Sequence, residues 1–326
     1  MRTPEMTLIF EGKDITRDIS KYLLGLTYTD YAHGKADSLE IRLEDRDGIW
    51  KSGWFPEKGA KLEPYLEYEG NKVKLGTFEI DEVEASSPPD IIIMRGVSSF
   101  ISKSFRLEKK SKTWENINLK GIVQEIAQQH GFTIFFDGED EMLDKISQKE
   151  ESDLSFLKRI CEEHGKNIKV AEEKIIIFEG KRFDVKPSVK SFERGKSGIL
   201  SFSLRSKATD IYRGAEVCYF DSDKKQEVKY TFLLEDTGIG SILKVNKRAK
   251  SLAEAEKLAK NELRKKNRFE VSGELQIVGD ITLFAGVNIS LSGFGVFDGN
   301  YFVEQTTHAV ESGYTTSLNI RKVLCY

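Results

Sequence analysis

The chain has 326 residues, of which 39% are hydrophobic and 32% charged, with a formal net charge of −3. That length gives a prior of about two domains, and no apolar run approaches the ~20 residues that a membrane-spanning helix needs. The near-neutral balance argues against a general nucleic-acid binder, which would carry a broad basic face.

The N-terminal Met1-Arg-Thr-Pro-Glu-Met-Thr-Leu-Ile-Phe has no apolar core followed by a small-residue cleavage site. It reads as an entry strand, and the expected site of synthesis is the cytoplasm. Cys161, Cys218 and Cys325 form no closely spaced pair, and an odd count speaks against disulfides.

Residues 7–10 read as a short strand, 14–22 as a turn or short helix, and 26–31 as a strand. Ser38-Leu-Glu-Ile-Arg-Leu-Glu-Asp alternates cleanly, the mark of a half-buried strand. Residues 47–54 are expected to form a short helical turn. A pattern that occurs twice in the chain then begins. Gly59-Ala-Lys-Leu-Glu-Pro-Tyr-Leu-Glu-Tyr is followed by Gly76-Thr-Phe-Glu-Ile-Asp, a Ser86-Ser-Pro-Pro-Asp breaker, and Ile91-Ile-Ile-Met-Arg. Near the C-terminus the counterparts are Gly286-Val-Asn-Ile-Ser-Leu-Ser-Gly, Gly299-Asn-Tyr-Phe-Val-Glu and Ser317-Leu-Asn-Ile-Arg. Each copy is an alternating strand opened by Gly, a second strand written Gly-x-aromatic-x-β-branched-acid, and a third ending in Arg. Two such units predict two related barrels or sandwiches.

A basic stretch, Lys103, Arg106, Lys109, Lys110 and Lys112, marks a boundary. Beyond it the period changes. Residues 119–130 carry apolar side chains at helical spacing, then come Gly131 and the strand Phe132-Thr-Ile-Phe-Phe. Residues 154–164, Gly165 and Lys166-Asn-Ile-Lys-Val repeat that helix–Gly–strand unit. Ser152 is placed to cap the second helix, with Asp153 in its positive first turn. Lys174-Ile-Ile-Ile-Phe-Glu closes an α+β module. Alternation returns at 200, and a helix over 251–267 is expected, capped by Ser251. Its apolar stripe is Ala253, Ala255, Leu258, Ala259 and Leu263. The expected fold is mainly β with an α+β insertion. Residues 1–105 are the first tube-like β-barrel, 106–181 the α+β module, and 182–326 the second barrel, with its helix lying on it.

Gln148-Lys-Glu-Glu-Ser-Asp-Leu-Ser-Phe-Leu-Lys-Arg-Ile-Cys-Glu-Glu-His-Gly resembles the central signature of the phage late control protein D family. Ser152, Asp153, Leu154, Phe156 and Leu157 carry that resemblance at the helix start and face. The run 285–304, with His308 and Gly313-Tyr-Thr-Thr-Ser-Leu, is similar to the family's last barrel. Ile160-Cys161 stands where the family usually has Leu-Ala, a conservative departure. The resemblance covers most of the chain and implies a baseplate hub of a contractile phage tail or tail-like bacteriocin (tailocin). It implies a homotrimer whose two barrels per subunit join a sixfold tail tube protein to a threefold central spike protein, alongside other baseplate proteins. The implied location is the host cytoplasm during assembly, then the baseplate of the released particle.

No residue is assigned to catalysis, to a metal or to a cofactor. His130 and His164 each precede a Gly at a predicted helix end, where a His meets the negative end of the helix dipole. His33 and His308 have no partner at ligand spacing. Cys161 reads as a buried structural thiol. The carboxylates of 138–141 and 150–153 read as solvated loops and a helix start rather than a glycosidase pair. Gly293-Phe-Gly-Val-Phe-Asp-Gly matches no phosphate-binding loop, because no helix follows it. The basic run reads as an exposed linker, with a tail-lumen patch as the other reading. Phe294, Phe297 and Tyr301 fit barrel core and interface anchors equally. No membrane insertion and no sequence-specific nucleic acid are expected. The rival function class is a hub-associated cell-wall-binding or peptidoglycan-degrading module.

Overall fold

Alternation of apolar and polar residues builds the first β unit. It contains β1 (Glu5–Phe10), β2 (Lys13–Asp14), α1 (Thr16–Ile19), β3 (Leu23–Tyr31), β4 (Ser38–Glu44), β5 (Lys61–Tyr68), β6 (Asn71–Lys74), β7 (Phe78–Ser86) and β8 (Ile91–Ser98). In β4, Leu39, Ile41 and Leu43 are buried while the residues between them face outward, as a period of two requires. The computed structural model describes residues 4–98, 103–221, 226–234, 240–247, 249 and 251–326.

The middle module holds α2 (Lys103–Leu107), β9 (Lys109–Asn118), α3 (Leu119–Gln129), β10 (Thr133–Asp137), β11 (Met142–Ser152), α4 (Asp153–Glu163), β12 (Lys166–Ala171), β13 (Lys174–Glu179) and α5 (Gly180–Asp184). Both helix–Gly–strand units form where the spacing places them. Gly131 and Gly165 take φ of +73° and +67°, the left-handed conformation that ends a helix at low steric cost. Phe105, Leu119, Ile122, Ile126, Phe156, Leu157, Ile160 and Ile177 share one core.

The basic run is not a linker. Lys109, Lys110 and Lys112 lie in β9, which pairs antiparallel with β11. The charges of 109–112 hide a strand whose single buried side chain is Trp114. Arg106 lies in α2. Lys103 opens that helix, and its side chain is outside the described residues.

The last part contains β14 (Ser188–Glu193), β15 (Ile199–Ser206), β16 (Tyr212–Asp221), β17 (Gln226–Leu233), β18 (Ser241–Val245), α6 (Leu252–Asn267), β19 (Val271–Val278), β20 (Asn288–Ser292), β21 (Gly299–Val310) and β22 (Tyr314–Lys322). Ser251 caps α6 by accepting a hydrogen bond from the Glu254 amide at 3.2 Å. Ala255, Ala259 and Leu263 are buried, whereas Ala253 is exposed and off the stripe. The helix does not lie on the second β unit. It covers a separate three-stranded sheet, β17-β16-β18, and shares a core with Ala215, Val217 and Val245. Alternation marks a strand but not the sheet it joins.

Among the described residues the two β units form one continuous sheet. Its order is β15-β19-β22-β21-β3-β4-β8-β7-β5-β1-β2, with β20 and β14 branching from β21 and β6 from β5. The units meet where β21 pairs antiparallel with β3, from Val310 opposite Leu26 to Gln305 opposite Tyr31. Each is a barrel-like sheet wrapped on its own core. The first core, however, includes Ile281, Val310 and Tyr314 from the far end of the chain.

Candidate assembly interfaces

The two units are the same object built twice. The order β3-β4-β8-β7-β5 matches β15-β19-β22-β21-β20. Gly59 and Gly286 have φ of +89° and +91°, and their amides donate to the Ile80 and Val303 carbonyls, each at 2.8 Å. Gly76 and Gly299 match likewise at +137° and +134°. The bulges also coincide. One falls between Ile80 and Glu82 and its twin between Val303 and Gln305. A second falls between Leu23 and Gly25 and its twin between Ile199 and Ser201.

One detail departs from the repeat as read in the sequence, and one separates the two units from each other. Arg95 lies opposite Glu82 and Asn319 opposite Gln305, so the counterpart of Arg95 is Asn319, not Arg321. A slip of two residues preserves the facing of every side chain, so alternation does not expose it. The sixth strand differs in direction: β1 runs antiparallel to β5, but β14 runs parallel to β20.

The joint between the units is pinned by His308, which is fully buried. Its Nε2 donates to the Leu283 carbonyl at 3.0 Å, and its Nδ1 accepts from the Tyr314 hydroxyl at 2.9 Å. A carbonyl can only accept, which fixes the neutral tautomer with the proton on Nε2. The ring stacks on Tyr28 of β3 at 6.1 Å. Burial pushes the His308 pKa down to about 4. On the outer face of the joint, the Thr29 and Thr307 hydroxyls lie 3.4 Å apart.

The bulge in β21 re-aims Glu304 sideways, a common use of such irregularities. Its carboxylate receives Arg321 Nε at 2.6 Å, Arg268 Nη2 at 2.7 Å and His33 Nε2 at 3.1 Å. Burial alone would raise its pKa, but His33, Arg268 and Arg321 outweigh that and hold it far below the usual range. Arg321 also pairs with Asp184 at 2.9 Å, and Arg264 binds the other Asp184 oxygen. This cluster ties α5, α6 and the second unit together. No local pattern announces it, because its members are spread from 33 to 321.

The family-like motif turns out to be the keystone of the middle module. Ser152 accepts from the Ser155 amide at 3.3 Å as the N-cap of α4. Asp153, 1% exposed, receives Gln148 Nε2 at 2.9 Å, Lys110 Nζ at 2.7 Å and His130 Nε2 at 2.8 Å. Burial raises its pKa, while Lys110, His130 and Gln148 pull it lower by more. Phe156 stacks on Trp114 with ring centres 5.0 Å apart, Leu157 is fully buried, and Leu154 packs at the edge of the core. His130 and His164 do end their helices, and each also meets a carboxylate, Asp153 and Glu141 respectively. Lys112 pairs with Glu125, and Lys109 is exposed. Ser152→Ala is expected to cost about 1 kcal/mol, read as a lower urea midpoint with an unchanged slope.

Tyr301 is fully buried, and Phe294, at 8%, lies in the same core, with Phe297 packed against it. The Tyr301 hydroxyl donates to the Phe297 carbonyl at 2.7 Å. Within one chain all three serve the core. The Cys161 thiol is buried and pushed up to about 12. Among the described residues no group of three or more His, Cys, Asp or Glu is placed to hold a metal ion.

Both the sequence and the fold have relatives among known proteins. A probable baseplate hub protein of Escherichia phage P2 is 31% identical over 177 residues, covering 53% of this chain and 45% of the relative. The corresponding protein of Escherichia phage 186 is 29% identical over 176 residues, covering 53% and 44%. The chain is a relative of phage baseplate hub proteins. The match spans less than half the length of either relative. The solved 43 kDa tail protein of prophage MuSo2 from Shewanella oneidensis has the same fold, with a TM-score of 0.74 over 98% of both chains at 14% identity. No family model matches the chain.

Proposed function

We propose that the protein is a structural baseplate hub, a trimeric adapter that joins a sixfold tail tube to a threefold spike. The observation that carries this reading is the doubled β unit, with matching strand order, glycines and bulges. Three copies present six similar units to one neighbour while remaining threefold toward the other. The units are proposed to act as domains over 1–105 and 182–326. The α+β module over 106–181 would project to contact other baseplate proteins. The mechanism is mechanical: a rigid ring passes sheath contraction from the tube to the spike, and no bond is made or broken. Tube, spike and baseplate proteins are the proposed partners, met after cytoplasmic assembly in a phage or tailocin particle.

Light scattering of the purified chain over a range of concentrations tests this reading. A mass of three chains is expected. A stable dimer overturns it, because a twofold object cannot bridge three to six.

A further inference from the structure

The repeat leaves two edges unequal to their twins. β3 is paired on both sides, by β4 and β21, whereas its counterpart β15 pairs only with β19 among the described residues. The end of β21 is paired with β3, whereas the matching end of β7, from Glu82 to Ser86, pairs only with β8 among the described residues. Burial shows the same deficit. Leu26 in β3 is 0% exposed, but Phe202, which occupies its place in β15, is 41% exposed.

We propose that β7 of one copy pairs with β15 of the next, repeating between copies the joint that β21 and β3 make within the chain. This contact rests on the trimer reading and specifies its register. Transferring the observed pairs through the repeat sets Glu82 against Lys207, Glu84 against Arg205 and Ala85 against Leu204. Thr307 opposite Thr29 is the model for Glu84 opposite Arg205.

Charge favours that register. Glu40, Glu82 and Glu84 share one partner, Arg95, which leaves a surplus of negative charge on the exposed β7 edge. Arg205 and Lys207 are exposed on the other edge. Opposite charges directly across a strand pair stabilise it, and like charges oppose it. An edge strand left open is itself a template for pairing.

The loops follow the same logic. In the intrachain joint, the unit that lends β21 also lends its β19–β20 loop, whose Ile281 and Phe284 pack on the first core. The matching β4–β5 loop carries Trp54 and Phe55, each 50% exposed, beside a cleft of about 800 Å3. Those two aromatics are the counterpart cover for Phe202 of the next copy. The contact is heterologous, so it must close after a fixed number of copies or grow into a fibre.

The test is a cysteine pair, Glu84→Cys with Arg205→Cys, in a background with Cys218→Ser and Cys325→Ser. Mild oxidation should give a covalent species that stops at three chains on a non-reducing gel. Ala85→Cys with Arg205→Cys, which points the thiols to opposite faces, should give none. A trimer by light scattering that fails to cross-link at Glu84, or links equally at Ala85, overturns this register and leaves the hub reading standing. A ladder that runs past three overturns ring closure. A monomer at every concentration overturns both.

Discussion

Asp184→Ala should lower the unfolding free energy by about 3–5 kcal/mol, the cost of stripping one member from a buried ionic group. The Asp184 side chain is 1% exposed and takes both Arg264 and Arg321, which are themselves 14% and 5% exposed. Without it, two guanidinium groups face each other with Glu304 as the remaining counter-ion for Arg321. Desolvated charge cannot be hidden by small rearrangements, so the loss should exceed that of any cap or surface pair. Asp184→Asn keeps one acceptor and should lose visibly less. Urea unfolding of the three proteins checks this. Equal midpoints for wild type and Asp184→Ala would show that water already solvates the cluster.

Lowering the pH from about 6.5 to 4 should remove about 3 kcal/mol of stability through His308 alone, at ~1.4 kcal/mol per pH unit. The sign follows from burial. The folded pKa is about 4, against an ordinary value of 6.5. In that window the unfolded chain binds a proton that the fold refuses, so stability falls as pH falls. The proton would have to enter at Nδ1, where the Tyr314 hydroxyl already donates. His308→Phe should therefore show a flatter dependence of stability on pH, whatever its absolute stability. Parallel profiles for the two proteins would clear His308 of the effect.

Legibility differed between kinds of structure. Strands, the doubled Gly-x-aromatic unit, both helix–Gly–strand units and the caps Ser152 and Ser251 were readable, because each is set by neighbours within a few residues. The lysines of β9 mislead, since three charges in four positions conceal a strand whose one buried anchor, Trp114, comes later. The sheet that α6 covers, the β3–β21 joint and the Glu304–Arg321–Asp184 cluster were out of reach. The first depends on strands tens of residues from the helix and the other two on partners more than a hundred residues apart, and no local periodicity records such pairings. The motif at 148–165 is visible as a motif, but its work in holding the module together lies in Asp153 gathering Gln148, Lys110 and His130, which only the fold brings together.

Thr29 and Thr307 face each other across 278 positions of chain. At a synthesis rate of ~5–20 residues per second, the first unit waits roughly 15–55 seconds for the strand that completes it. Throughout that interval Leu26 and Tyr28 lack the cover that Ile281, Val310 and Tyr314 later supply. The nascent chain thus leaves the ribosome with an open strand and an unfinished apolar surface. A stall before residue 281 would leave that surface open, so the order of synthesis makes residues 281–314 the step that completes the core of the first unit.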